Sequence, residues 1–188
     1  MIPPSGNKII IAPIGEYEES LLDQISFAVE KKFHCHTEIM ILLKDLEFAF
    51  HPARNQYHST AILERLCNGI PPSALKLLAV CQEDLFIPIL THVYGEAQLN
   101  GEACIVSTHR LKESVLPVTN PTSYAGRVVK EAVHELGHTF GLRHCPDHSC
   151  IMHYCRTLSD VDKKSDDFCR YCSILLDDAF SSLDIANR

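Results

Sequence analysis

The chain has 188 residues, 46% of them hydrophobic, and a formal net charge of -7. That length suits one domain with a substantial core, and the negative balance argues against nucleic acid or an acidic membrane surface as the main partner. No stretch approaches the roughly 18 apolar residues of a membrane span.

The N-terminal run MIPPSGNKIIIAPIG lacks a basic leader and a long apolar core, so it reads as a buried strand rather than a signal peptide. Nine cysteines is an odd number, and five of them fall between 145 and 172, two as C-x-x-C. That clustering favours metal ligation in a reducing compartment over a disulfide framework. The expectation is a cytoplasmic protein, monomeric, with no membrane or nucleic-acid partner.

In chain order, KIIIAPIG (8–15) predicts a buried strand, and 18–33 a helix with Leu21, Leu22, Ile25, Ala28 and Val29 at helical spacing. TEIMILLKDL (37–46) predicts a second strand, parallel to the first through a right-handed crossover. Residues 49–60 read as a polar loop. A helix follows, capped by Ser59 or Thr60 and ending near Gly69. ALKLLAVCQEDL (74–85) predicts another buried strand. Asn100-Gly101 signals a hairpin between two strand-like runs. After a loop over 115–126, residues 123–141 form the longest predicted helix, with Val128, Val129, Ala132, Val133, Leu136 and Phe140 as its apolar stripe and Gly141 as its stop. The chain then reads as irregular until a closing helix over 165–183, with Asp166 and Asp167 in its first turn.

The chemistry concentrates in HELGHTFGLRHCPDHSCIMHYC (134–155). His134 and His138 are four apart, so a helix presents both on one face. Glu135 lies about 100° round the helix, beside an ion rather than on it. Gly141 can take a positive φ and turn the chain so that His144 returns as third ligand. The string H-E-x-x-H-x-x-G-x-x-H is the metzincin signature. Three imidazoles leave zinc an open position for water, with Glu135 as the base.

Cys145, Cys150, Cys169 and Cys172 suit a closed tetrahedral zinc site of four thiolates. Cys155 competes with Cys150 for a place in that set, and His148 or His153 with a thiol. Cys35, Cys67, Cys81 and Cys104 read as plain core residues.

H-E-x-x-H-x-x-G-x-x-H-C, four residues, C-x-M and a distant C-x-x-C together resemble the archaemetzincin family of metzincin-like metalloproteases. The matching residues are His134, Glu135, His138, Gly141, His144, Cys145, Cys150, Met152, Cys169 and Cys172. NQYHSTAIL and FIPILTHVYGEAQL upstream are also similar.

The resemblance implies an α/β fold: a twisted, mostly parallel sheet packed on a backing helix and the active-site helix, with a small C-terminal lobe below the cleft. It implies a single metalloprotease domain over 1–188. The upper lobe would span about 1–141, including the active-site helix at about 123–141, and the lower lobe about 142–188. It further implies two zinc ions per chain, one catalytic and one structural, with Met152 as the hydrophobic floor beneath the first. Tyr154, two positions on, is a candidate oxyanion stabiliser.

The expected activity is zinc-dependent hydrolysis of a peptide or protein substrate. THVYGEA would serve as the edge strand that holds it. If Glu96 met a free substrate amine the enzyme would be an aminopeptidase, but a solvated strand-end carboxylate is the preferred reading. The alternative function is a zinc-stabilised peptide-binding protein with little or no turnover.

Overall fold

The computed structural model describes residues 8–112 and 123–186, so the loop expected over 115–126 lies mostly outside them. Strands β1 (Lys8–Ile14), β2 (Thr37–Ile39), β5 (Ala74–Cys81), β7 (Gly95–Ala97) and β8 (Ala103–Ser107) form a five-stranded sheet in the order β2-β1-β5-β8-β7. All neighbours are parallel except β7, which runs antiparallel to β8 on one edge. A small second sheet joins β3 (Phe50–His51), β4 (Gln56–His58) and β6 (Leu85–Phe86). The mostly parallel α/β expectation holds.

The central strands read as unbroken apolar runs because both faces of the sheet are covered. Ile9, Ile11, Leu78, Val80, Cys104 and Val106 pack with helices α1 (Glu19–Phe33) and α3 (Tyr124–Thr139). Ile10, Leu77, Ala79, Cys81 and Ile105 pack on the other face with α2 (Ser59–Cys67). Cys35, Cys81 and Cys104 are buried core residues, as expected, and Cys67 is half-buried.

Five expectations need correction. The second strand ends at Ile39 instead of running to 46. Ile9 N–H donates to the His36 carbonyl and the Ile11 carbonyl accepts from Met40 N–H, so alternate residues of β1 face β2. Pro13 is next in that row and has no N–H to extend the ladder. The polar loop over 49–60 contains the β3–β4 hairpin, whose strands are too short to show a two-residue period.

The N-cap of α2 is His58, without a side-chain cap; Ser59 and Thr60 instead direct their hydroxyls to Glu96. Finally, the closing helix α5 (Arg170–Ala186) starts after Asp166 and Asp167, and Asp167 pairs with Lys32 of α1. A short helix α4 (Leu158–Lys163) interrupts the stretch read as irregular. Its signal was legible: Thr157 and Asp160 form a reciprocal capping box.

Aromatic contacts bring the C-terminal part under the sheet. Phe33 of α1 stacks on Phe140 at 5.2 Å and meets Phe168 edge-on at 5.9 Å, and Phe180 of α5 lies 4.9 Å from Phe140. One cluster of buried residues therefore runs from Ile9 through Met152 to Leu176.

Candidate active site

Helix α3 starts where Ser123 Oγ accepts the Gly126 N–H at 3.1 Å. It ends in a Schellman turn: Gly141, at φ 87°, donates to the His138 carbonyl and Leu142 donates to the Gly137 carbonyl. That turn performs two tasks. It reverses the chain so that His144 faces the helix, and it aims the Leu142 carbonyl at His138 Nδ1, 2.6 Å away. His134 Nδ1 is held the same way by the Ile151 carbonyl at 2.8 Å.

With Nδ1 donating, each Nε2 keeps its lone pair, and the two Nε2 atoms lie 3.1 Å apart. The His144 ring sits 5.4 Å from that of His134 and 4.9 Å from that of His138. The three donor atoms lie within 4.8 Å of one another, as one ion requires. Burial pushes His134 and His138 below the ordinary histidine range, and burial with the neighbouring His138 takes His144 down to about 4. The neutral, ligating form is thus favoured at all three.

Glu135 is buried beside them at the edge strand. A Cβ at Gly95 would stand 2.5 Å from Glu135 Cγ and 2.7 Å from its Oε1, so only glycine leaves room for the carboxylate. Burial, and then the charge of Glu131, push the Glu135 carboxyl well above its ordinary range. Below the site Met152 is fully buried, and a Cβ at Gly137 would fall 2.6 Å from its sulfur. Gly137 costs the helix about 1 kcal/mol relative to alanine and admits the methionine. Neither glycine role was read from the sequence; a glycine inside a strongly helical pattern was the available signal.

The buried pair Glu131–Lys164 was also missed. Lys164 follows α4 and meets Glu131, one turn before Glu135, at 2.7 Å. The ammonium lies off the hydrogen-bond direction, so the contact is an ion pair rather than an aligned hydrogen bond. Burial disfavours the Lys164 charge, but Glu131, Cys155 and Glu135 together more than offset it and the ammonium is held. Arg127 reinforces this dock through a bidentate pair with Asp162, and Lys130 donates to the Val161 and Lys164 carbonyls.

A cleft of about 690 Å³ opens over these groups, lined by Gly95, His134, Glu135, His138, Tyr154 and Arg156 among others. Tyr154 lies against His144, ring centroids 4.9 Å apart. Glu96 also lines the cleft, but its carboxylate takes the Thr60 hydroxyl at 2.8 Å and that of Ser59, which corrects its reading as a solvated strand-end group.

Cys145, Cys150, Cys169 and Cys172 form a second cluster, with their sulfurs within 4.8 Å of one another. Cys169 N–H donates to Cys150 Sγ, and Cys145 Sγ is 3.8 Å from Cys169 Sγ. Cys155, His148 and His153 stand outside this cluster. Cys155 lines the active-site cleft instead, where burial pushes its thiol up to about 12.

A mixed, mostly parallel sheet, a helix with two histidines four apart and a third returned by a glycine turn define a metzincin-type zinc metallopeptidase. The sequence profile of peptidase family M54 matches residues 8–178. The archaemetzincin of Methanopyrus kandleri is 43% identical over 130 residues, which cover 69% of this chain and 71% of that protein. The archaemetzincin of Haloquadratum walsbyi is 34% identical over 170 residues, covering 88% and 97%. The crystal structure of the Methanopyrus kandleri protein superposes with a TM-score of 0.80 at 33% identity, covering 96% of this chain and 99% of that one. The chain belongs to peptidase family M54, the archaemetzincins, and is a zinc metallopeptidase.

Proposed function

We propose that the protein hydrolyses peptide bonds with Glu135 as general base and acid, over zinc held by His134, His138 and His144. A second, structural zinc is held by Cys145, Cys150, Cys169 and Cys172. The observation that carries this reading is the convergence of three imidazole nitrogens within 4.8 Å beside the buried Glu135 carboxylate in one cleft. The donor sets fit: three neutral nitrogens suit an open catalytic zinc and four thiolates a closed one. Bound at the histidines, zinc polarises water and a carbonyl.

The substrate strand adds to the open edge of β7. Tyr94 and Gln98 bond toward β8, so by alternation Gly95 and Ala97 present N–H and C=O to the cleft side. Glu135 takes a proton from the attacking water and delivers it to the departing amine. Tyr154, beside His144, is the group to donate to the developing oxyanion. The working division is an upper lobe to Gly141 and a lower lobe from Leu142, within one domain.

A peptide-library digest with wild type and Glu135→Ala side by side tests this. We expect Glu135→Ala to keep both zinc ions and lose about 10²–10⁴ in turnover. Cleavage that survived the change would remove Glu135 from the role. No Glu135-dependent cleavage of any peptide would favour a zinc-stabilised peptide-binding protein.

A further inference from the structure

Outside both clusters, His148 and His153 face each other across the loop that links them. His148 Nδ1 lies 3.0 Å from His153 Nε2, with ring centroids 4.4 Å apart. His153 Nδ1 is anchored 3.0 Å from the Cys145 carbonyl. With its proton there, His153 Nε2 holds a free lone pair. His134 and His138 show the anchoring that His153 shows, each with Nδ1 on a backbone carbonyl, and their Nε2 atoms lie 3.1 Å apart. Anchoring one ring nitrogen on a carbonyl is how metal-binding histidines are usually oriented. Two nitrogens held at about 2.0–2.1 Å from one ion, at angles of roughly 90–110°, are about 2.9–3.4 Å apart. The observed 3.0 Å falls in that window. His148 is exposed and His153 half-buried, so the pair is open to solvent.

We propose that His148 Nδ1 and His153 Nε2 form a third cation site, for a late first-row divalent ion such as Ni²⁺, Cu²⁺ or Zn²⁺, completed by water. Imidazole donors select these ions over Mg²⁺ and Ca²⁺. With two protein ligands the ion exchanges more readily than one held by four thiolates. An ion here ties the loop between Cys145 and Cys150 to the segment between Met152 and Tyr154. It thereby braces the chain that carries Tyr154 past His144.

The test uses the zinc-loaded full chain, with Ni²⁺ as probe in equilibrium dialysis. Wild type should bind one Ni²⁺ while retaining its zinc. His148→Ala should bind it at least tenfold more weakly, with unchanged zinc content and melting temperature. Equal Ni²⁺ binding by the two proteins overturns the proposal and leaves a plain hydrogen bond from His148 to His153. Because a substitution in this loop can disturb the cysteine cluster, a second reading comes from wild type alone. The paramagnetic resonance spectrum of one added Cu²⁺ should carry two imidazole nitrogens, and a spectrum without them overturns the site.

Discussion

A methyl group at Gly95 would stand 2.5 Å from Glu135 Cγ and 2.7 Å from its carboxyl carbon. Glu135 is confined on the helix side by burial, so Gly95→Ala has to push the carboxylate aside or shift the edge strand. Displacing a positioned group by about 1 Å can cost on the order of 10²-fold in rate. We therefore expect Gly95→Ala to lower kcat by about that factor while the zinc content stays that of wild type. Wild-type turnover would show that the carboxylate has another resting place. The metal-seeking residues themselves were legible, because His134, His138 and His144 are tied to helix geometry and one glycine turn. Cys145, Cys150, Cys169 and Cys172 were grouped by spacing against open rivals, and the fold separates Cys155, His148 and His153 from them. The partners of Glu135 were not legible. Gly95 lies 40 residues away, and nothing local in THVYGEA shows which side chain will cover it.

At the scale of elements, the catalytic helix is braced from three sides. Lys76 of β5 donates to the Thr139 carbonyl at the C-terminus of α3 and to the Gly101 carbonyl of the hairpin, and Asn100 N–H donates to the His138 carbonyl. Arg127, Lys130 and Glu131 hold α4 through Asp162, the α4 carbonyls and Lys164. Long elements with a clear period, such as α1, α3 and β5, could be read along the chain. The strands of two or three residues could not, since their existence depends on neighbours, and α4 offered only its Thr157–Asp160 capping box.

Glu131 and Lys164 were invisible for the same reason: a charged residue in a helical stripe gives no sign that a partner 33 positions on will bury it. Because both side chains are almost wholly buried, removing one charge strands the other. Lys164→Met should destabilise the protein by about 3–5 kcal/mol, measured by chemical denaturation. The double variant Lys164→Met with Glu131→Leu should recover most of that loss. A Lys164→Met protein as stable as wild type would mean that Glu131 is solvated or neutral.

For the whole molecule, the question is what joins the C-terminal part to the sheet. The buried core is continuous from Ile9 to Leu176, and the Phe33–Phe140–Phe180 contacts cross between α1, the end of α3 and α5. Those contacts alone do not fix the start of α5. Cys169 immediately precedes that helix and Cys172 lies in its first turn, while Cys145 and Cys150 belong to the loop after His144. A zinc ion held by all four, as proposed, would close a chain segment that includes Met152 and Tyr154, so its binding energy would become folding energy for the floor of the cleft. Cys169→Ser should therefore lose one of the two proposed zinc ions and lower the melting temperature. It should also reduce turnover, although His134, His138, His144 and Glu135 are untouched. On the proposed assignment, an ion at the three histidines would keep an open coordination position and one at the four cysteines would not. A mild chelator should accordingly strip activity first, at nearly constant melting temperature, and unfolding should follow only as the second ion leaves. Simultaneous loss of both ions would sink the division into one open and one closed site, and a Cys169→Ser protein that melts like wild type would show that apolar packing alone holds the C-terminal part in place.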